Sequence, residues 1–211
     1  ILRERTGGLV DPDVGGSVIA WGYDRTFAEV TDRAEAPAIL SGHRDWMIDG
    51  QVVSRDPGLL FDLGGIAKGW ASDEAVHAGM GTVVSAGGDI CSSDPGTEVE
   101  IIDPWGDVAA TVHLGIGGLA TSSITRRRWE VVGRTAHHII DPRTGAPAYT
   151  PVFSATVSAA TASEAEAGAK AVLLHGADGL AWAEQQSWIR AAMVVWRDGN
   201  VYATTGWEMA A

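Results

Sequence analysis

The strongest hydrophobic patterning lies in the last third of the chain. Residues 152–159 place Val, Phe, Ala and Val among small hydroxyl side chains and read as a strand. Thr161-Ala162-Ser163-Glu164 follows with the spacing of a capping box, in which the hydroxyl and the carboxylate each serve an N–H that a first helical turn leaves without a partner. The helix so begun is predicted to run to His175 and stop at Gly176, and a shorter one covers 178–185. Residues 191–196 and 201–205, joined through Arg197-Asp198-Gly199-Asn200, form the clearest hairpin. Upstream, Ile66, Ala67, Trp70 and Ala71 recur at helical spacing and Gly79 closes the pattern, which predicts a helix over 65–78.

Short strands are expected at 82–85, broken by Ala86-Gly87-Gly88-Asp89, at 98–102, ended by Asp103-Pro104, and at 108–114. Residues 135–140 read as one strand running into the turn Asp141-Pro142-Arg143-Thr144-Gly145, and 59–61 as a short apolar strand after Asp56-Pro57-Gly58. Residues 121–128 are polar and read as a surface loop or strand entrance. The stretches 8–27 and 33–54 have weak periodicity, the second interrupted by Pro37 and Gly42, and are assigned to loops and turns with a short helix over 16–21. Antiparallel strand groups with a few helices imply an α+β layered domain spanning the whole chain, with a mixed or antiparallel sheet and packed helices.

Composition narrows the function. A chain of 211 residues with 45% apolar and 20% charged side chains is long enough for one ordinary soluble domain. The net charge of -12 repels a phosphate backbone over most of the surface, which argues against nucleic acid as a partner. Cys91 is the sole cysteine, so neither an internal disulfide nor a thiolate zinc site is available. No apolar run reaches the length of a membrane span, which leaves a soluble cytoplasmic or bacterial extracytoplasmic protein. Glycine, at 27 of 211, is well above the usual share of about 7%, and irregularly spaced Gly-Gly pairs suggest backbone drawn close to a ligand.

Four segments carry candidate chemistry. Asp62-Leu63-Gly64-Gly65-Ile66-Ala67-Lys68-Gly69 sits where a strand becomes a helix; it is either a plain capped turn or a cradle for a phosphorylated ligand, and it matches neither the P-loop nor G-x-G-x-x-G. In His137-His138-Ile139-Ile140-Asp141-Pro142-Arg143, an extended backbone turns the two histidines to opposite faces, so only one can face a site; the segment is either an acid–base group of that site or a plain turn in which Asp141 accepts from the Thr144 or Gly145 N–H and a histidine is satisfied in the sheet. Glu166 and Lys170 form either an exposed i,i+4 pair or a cation-binding position; Lys68 and Lys170 are the only lysines. Arg126-Arg127-Arg128 is the one dense basic run, read as a solvated loop or as local attraction for a diphosphate.

Taken in order, Thr6-Gly7-Gly8-Leu9-Val10-Asp11-Pro12 with Trp21-Gly22, then Asp62 to Gly69, Ala86-Gly87-Gly88-Asp89, Thr121-Ser122-Ser123 and His138 to Gly145 resemble the motifs of the ApbE-like family, the FAD:protein FMN transferases. Residues 161–174 are similar to that family's metal-ligating helix. The resemblance implies cleavage of FAD at the pyrophosphate and transfer of the FMN phosphoryl moiety to a Ser or Thr hydroxyl of an acceptor flavoprotein, assisted by Mg2+. It implies contacts to the flavin nucleotide from Leu9, Val10, Asp11, Asp62, Lys68, Ile140, Arg143 and Lys170. It gives His138 the acceptor proton, with Asp141 beside it in the catalytic turn, and places the metal at Gly65 and Glu166.

Two departures modify these expectations. The family's last motif carries Asp and, four residues on, Thr as metal ligands; here Glu166 and Lys170 stand there, and an ammonium has no lone pair to donate. The chain also begins inside the family pattern, so the expectation is a fragment, an N-terminal portion supplied by another chain, or a shortened relative with impaired binding, and the edge left by a missing strand favours a partner or homo-oligomer. The alternative to transfer is an FAD-binding protein or an FAD pyrophosphatase that flavinylates no protein.

Overall fold

The computed structural model describes residues 1–35, 37 and 45–210. Gly42, expected to interrupt the early region, lies outside the described residues. The elements, in chain order, are α1 (Leu2–Arg5), α2 (Gly15–Ala20), β1 (Trp46–Asp49), β2 (Val52–Arg55), α3 (Ala67–His77), β3 (Val83–Ala86), β4 (Asp89–Ser92), β5 (Glu98–Ile102), β6 (Val108–His113) and β7 (Gly117–Ser123). They continue with β8 (Arg128–Val131), β9 (Arg134–His137), β10 (Ile140–Asp141), β11 (Ala146–Pro147), β12 (Val152–Ala159), α4 (Ala162–His175), α5 (Gly179–Glu184), β13 (Ile189–Trp196) and β14 (Val201–Ala203). Six strands form one antiparallel sheet in the order β14-β13-β12-β7-β4-β3, and the others pair as two-stranded hairpins.

Alternation along the central strands assigns the two faces. Ala155, Val157 and Ala159 of β12 and Ala120 of β7 turn toward α4, where they pack with Ala165, Ala169, Val172 and Leu173. Leu119 and Met193 point the other way, onto Ile101, Ala110 and Val112 of the β5–β6 hairpin. Helix, sheet and hairpin therefore make three layers, matching the expected α+β architecture. α4 is buried over most of its circumference, which requires its run of small residues: Ala162, Ala165, Ala167, Gly168, Ala169 and Ala171 let it lie close against both the sheet and α3. Fully buried Val172, Leu173 and Val157 contribute on the order of 2 kcal/mol each to this core.

The predicted helices fall close to place, α3 within residues 65–78 and α4 ending at His175 before Gly176. Four expectations are corrected. Residues 59–61 form no strand; Leu59 is a fully buried plug in a loop. Residues 121–123 belong to the central strand β7, whose hydroxyls misled the reading because they line a cleft. The region 46–55 is a hairpin with exposed Met47, Ile48, Val52 and Val53, so it has no apolar face to alternate; the Asp49-Gly50 dipeptide was its only local signal. The strand expected over 135–140 is split, β9 ending at His137 and β10 starting at Ile140.

The capping box at α4 is half formed. Thr161 Oγ1 accepts from the Glu164 N–H at 3.1 Å, whereas Glu164 pairs with Arg5 at 2.5 Å. Asp73, from α3, takes up the rest of the helix start: its carboxylate accepts from the Ala162 N–H at 2.8 Å, the Ser163 N–H at 2.9 Å and the Ser163 hydroxyl at 2.6 Å.

Candidate functional site

A cavity of about 420 Å³ opens where the turn before α3, the end of β7, the β9–β10 junction and α4 meet. Asp62, Gly64, Gly65, Lys68, Thr121, Ser122, Arg126, Arg127, His138, Glu166 and Lys170 line it. An adjoining groove of about 340 Å³, floored by β5 and β7, shares Gly87, Thr121, Ser123 and Arg126 with it. The two together make an elongated cleft with cationic side chains at and beside their junction. Each lobe falls in the size range of small-molecule sites.

At the wall formed by α3 and α4, one ammonium serves two carboxylates. Lys68 pairs with Asp89 and, at 2.9 Å, with Glu166. The second Glu166 oxygen accepts from the Gly69 N–H at 2.9 Å. Burial works against the Lys68 charge, but Asp89 and Glu166 outweigh it and raise its pKa. Burial also dominates at Asp89, whose carboxyl is pushed up to about 6 although Lys68 opposes the shift.

Lys170 has no such partner. Among the described residues its Nζ makes neither a hydrogen bond nor an ion pair, and it points into the cavity against Gly65, where an added Cβ would overlap the ammonium. Burial lowers its pKa, with Asp62 and Glu166 acting in the opposite sense. This arrangement does not fit the expected Mg2+. Both oxygens of Glu166 already serve other donors, an ammonium fills the space beside Gly65, and no group of three or more His, Cys, Asp or Glu capable of holding a metal occurs among the described residues. Asp62 accepts from the Gly64 N–H at 2.8 Å and so stabilises the turn it opens.

His138 and His137 face opposite ways, as the extended backbone required. His138 lines the cavity, edge-on to Tyr23, with a buried Nδ1 that has no hydrogen-bond partner among the described residues. Burial, reinforced by Arg127 and Lys170, lowers its pKa to about 3, so the imidazole is neutral. His137 faces the other way: its Nε2 reaches the Ala148 carbonyl at 3.0 Å, its buried Nδ1, like that of His138, has no hydrogen-bond partner among the described residues, and burial lowers its pKa to about 4.

The remaining predicted site residues lie elsewhere. Asp11 and Arg143 line a separate depression of about 210 Å³ with Arg3, Gly7 and Gly8, and Arg3 bonds Asp11 at 2.6 Å. Leu9 is packed in the core and Ile140 is buried. Val10 is half-buried and donates its N–H to the Thr6 hydroxyl at 3.1 Å. Asp141 organises its own turn, accepting from the Arg143 N–H at 2.9 Å and pairing with the Arg143 guanidinium at 2.7 Å. The structure thus brings Asp62, Gly65, Lys68, His138, Glu166 and Lys170 together, and leaves Leu9, Val10, Asp11, Ile140, Asp141 and Arg143 outside the cavity lining.

The ApbE family model matches residues 2–193. The chain belongs to the ApbE family. It is similar to the FAD:protein FMN transferases of Rhodobacter capsulatus, 34% identical over 96% of this chain and 42% of that protein, and of Treponema pallidum, 30% identical over 83% and 57%. The chain therefore spans about half the length of these curated relatives. Among solved structures, the ApbE protein of Thermotoga maritima superposes with a TM-score of 0.83 at 29% identity, covering 97% of this chain and 72% of that one. The flavin transferase ApbE of Vibrio cholerae gives 0.76 at 28%, with the same coverages.

Within this ApbE-family site, sequence reasoning missed the electrostatic role of Asp89. Its position directly after Gly87-Gly88 was the available signal, since a carboxylate leaving a tight turn faces whatever the turn approaches. Asp73 gave no local signal, because its partners are about 90 residues away. No helix among the described residues is long and apolar enough to cross a membrane.

Proposed function

We propose that the cleft binds FAD and that the chain transfers its FMN phosphoryl moiety to a Ser or Thr hydroxyl of an acceptor flavoprotein. The observation that carries the reading is the two-lobed cleft joined at Gly87, Thr121, Ser123 and Arg126, with Arg126 and Arg127, neither in an ion pair among the described residues, beside the junction. That geometry suits a ligand with two ring systems linked by an anionic bridge, and family membership supports FAD as that ligand.

In the proposed reaction the acceptor oxygen attacks the phosphorus on the flavin side. The bond from that phosphorus to the bridging oxygen breaks, and AMP leaves with the bridging oxygen and the bonding pair. The hydroxyl proton passes to His138 and from there to solvent. The imidazole is neutral and so has a lone pair to accept it, and the anionic diphosphate raises its proton affinity when bound. Positioning and charge stabilisation supply most of the acceleration in such a transfer. Arg126, Arg127 and Lys170 carry the charge, and the Gly64-Gly65 turn lets the diphosphate lie close to backbone.

A second reading, FAD held without turnover or cleaved with water as acceptor, is favoured by the full engagement of Glu166 and the ammonium beside Gly65. Incubation with FAD and an acceptor flavoprotein domain separates the readings. Covalent FMN fluorescence on the denatured acceptor with equimolar AMP supports transfer, AMP without labelled protein supports hydrolysis, and recovery of intact FAD supports binding alone.

A further inference from the structure

We infer that Lys170 supplies, from inside the cleft, the positive charge that would otherwise come from a divalent cation, so that the chain binds the FAD diphosphate without Mg2+. This rests on the FAD reading above and specifies how that site neutralises its ligand.

Three observations carry it. None of the carboxylates nearest Lys170 bonds its ammonium: Glu166 is held by Lys68 and the Gly69 N–H, Asp89 by Lys68, and Asp62 through one oxygen by the Gly64 N–H, acting on Lys170 only at longer range. The Lys170 ammonium therefore faces the cavity with three donors and no acceptor among the described residues. An interior cation left unpaired is costly unless an anion enters to meet it. Second, the ammonium occupies the space against Gly65, so a dication there would meet a like charge and compete for Glu166 oxygens already in use. Third, the chain has only two lysines, and both line this cavity although the protein as a whole is acidic. One is tied into a carboxylate triad and the other is free for a ligand. Lys170, with Arg126 and Arg127, offers enough positive charge to match a diphosphate, and as a compact ammonium it acts as a point charge on phosphate oxygens.

Calorimetric titration of the full chain with FAD, in EDTA and in excess MgCl2, tests this. Equal FAD affinity in both conditions, with no saturable heat when Mg2+ is added to the FAD complex, is the expected result. Lys170→Met, which keeps length and loses charge, is expected to weaken FAD binding at least about tenfold in EDTA, the effect of losing a charge-assisted bond. Strong Mg2+ enhancement of FAD binding in the unmodified chain, with one saturable Mg2+ per complex, overturns the inference and leaves the FAD reading standing. Unchanged FAD affinity in a folded Lys170→Met variant overturns it too. If FAD binds in neither condition, the FAD reading falls and the inference with it. The Mg2+ comparison needs no variant, so it decides the matter even where Lys170→Met does not fold.

Discussion

At the scale of single residues the site depends on how few cations hold how many carboxylates. Lys68 stands between Asp89 and Glu166, both almost fully buried, so removing its charge strands two carboxylates in a medium that cannot solvate them. Asp89 already sits at about 6 and limits the damage by taking up a proton. Its folded pKa is raised, so its protonated form is favoured below that value and the cost grows as pH rises. Lys68→Met is therefore expected to lose roughly 2 kcal/mol of stability, more at pH 8 than at pH 6, and urea unfolding at the two pH values checks it. His138 has a different part: it lines the cavity against the Tyr23 ring, and its Nδ1 makes no hydrogen bond among the described residues. His138→Ala is expected to slow single-turnover formation of covalent FMN by about a hundredfold or more while FAD affinity stays nearly unchanged. Full-rate transfer by that variant would end its assignment as proton acceptor.

Among the secondary-structure elements, legibility followed burial. β12, α4 and β13 have one face or a whole surface in the core, so their patterning was imposed by packing and could be read back, whereas exposed β14 was read from the Asp198-Gly199-Asn200 turn that precedes it. β7 is equally central, but the end that lines the cleft carries Thr121, Ser122 and Ser123, where selection for a polar wall erased the apolar signal. β1 and β2 escaped for the opposite reason, having no buried face. The motifs of the glycine turn, the His138 segment and α4 were each legible because they are local, but their convergence followed only from the family resemblance. The depression that holds Asp11 and Arg143 was not, since it depends on where α1 and α2 dock. The start of α4 shows the same limit: its local capping residue Thr161 was visible, its distant partner Asp73 was not. Asp73 satisfies two backbone N–H groups and one hydroxyl there. Asp73→Ala is expected to cost about 1–2 kcal/mol, more than Glu164→Ala, whose ion pair with Arg5 is partly exposed. Paired thermal melts of the two variants give the comparison directly.

For the molecule as a whole, the two adjacent histidines make stability depend on pH in a direction that burial fixes. His137 and His138 ionise near 6.5 when unfolded, but burial lowers them to about 4 and about 3 in the fold. Between those values the unfolded chain binds more protons than the folded one, so the stability they contribute is intact above 6.5 and drains away as the solution is acidified. Asp89 acts the other way. Its folded carboxyl is raised from 3.8 to about 6, so within that interval acid favours the fold. Around pH 5 two histidine protons oppose one carboxyl proton, and the histidines prevail. Unfolding free energy from urea titration is thus expected to fall on going from pH 7 to pH 5. His137 can be removed from this balance without touching the cavity, because it faces away from it and makes a hydrogen bond to the Ala148 carbonyl that an amide can replace. His137→Gln should reduce the pH slope near pH 5 by about one proton, roughly 1.4 kcal/mol per pH unit. An unchanged slope would mean that His137 is already protonated in the folded state, and that its burial at the end of β9 is looser than its packing indicates.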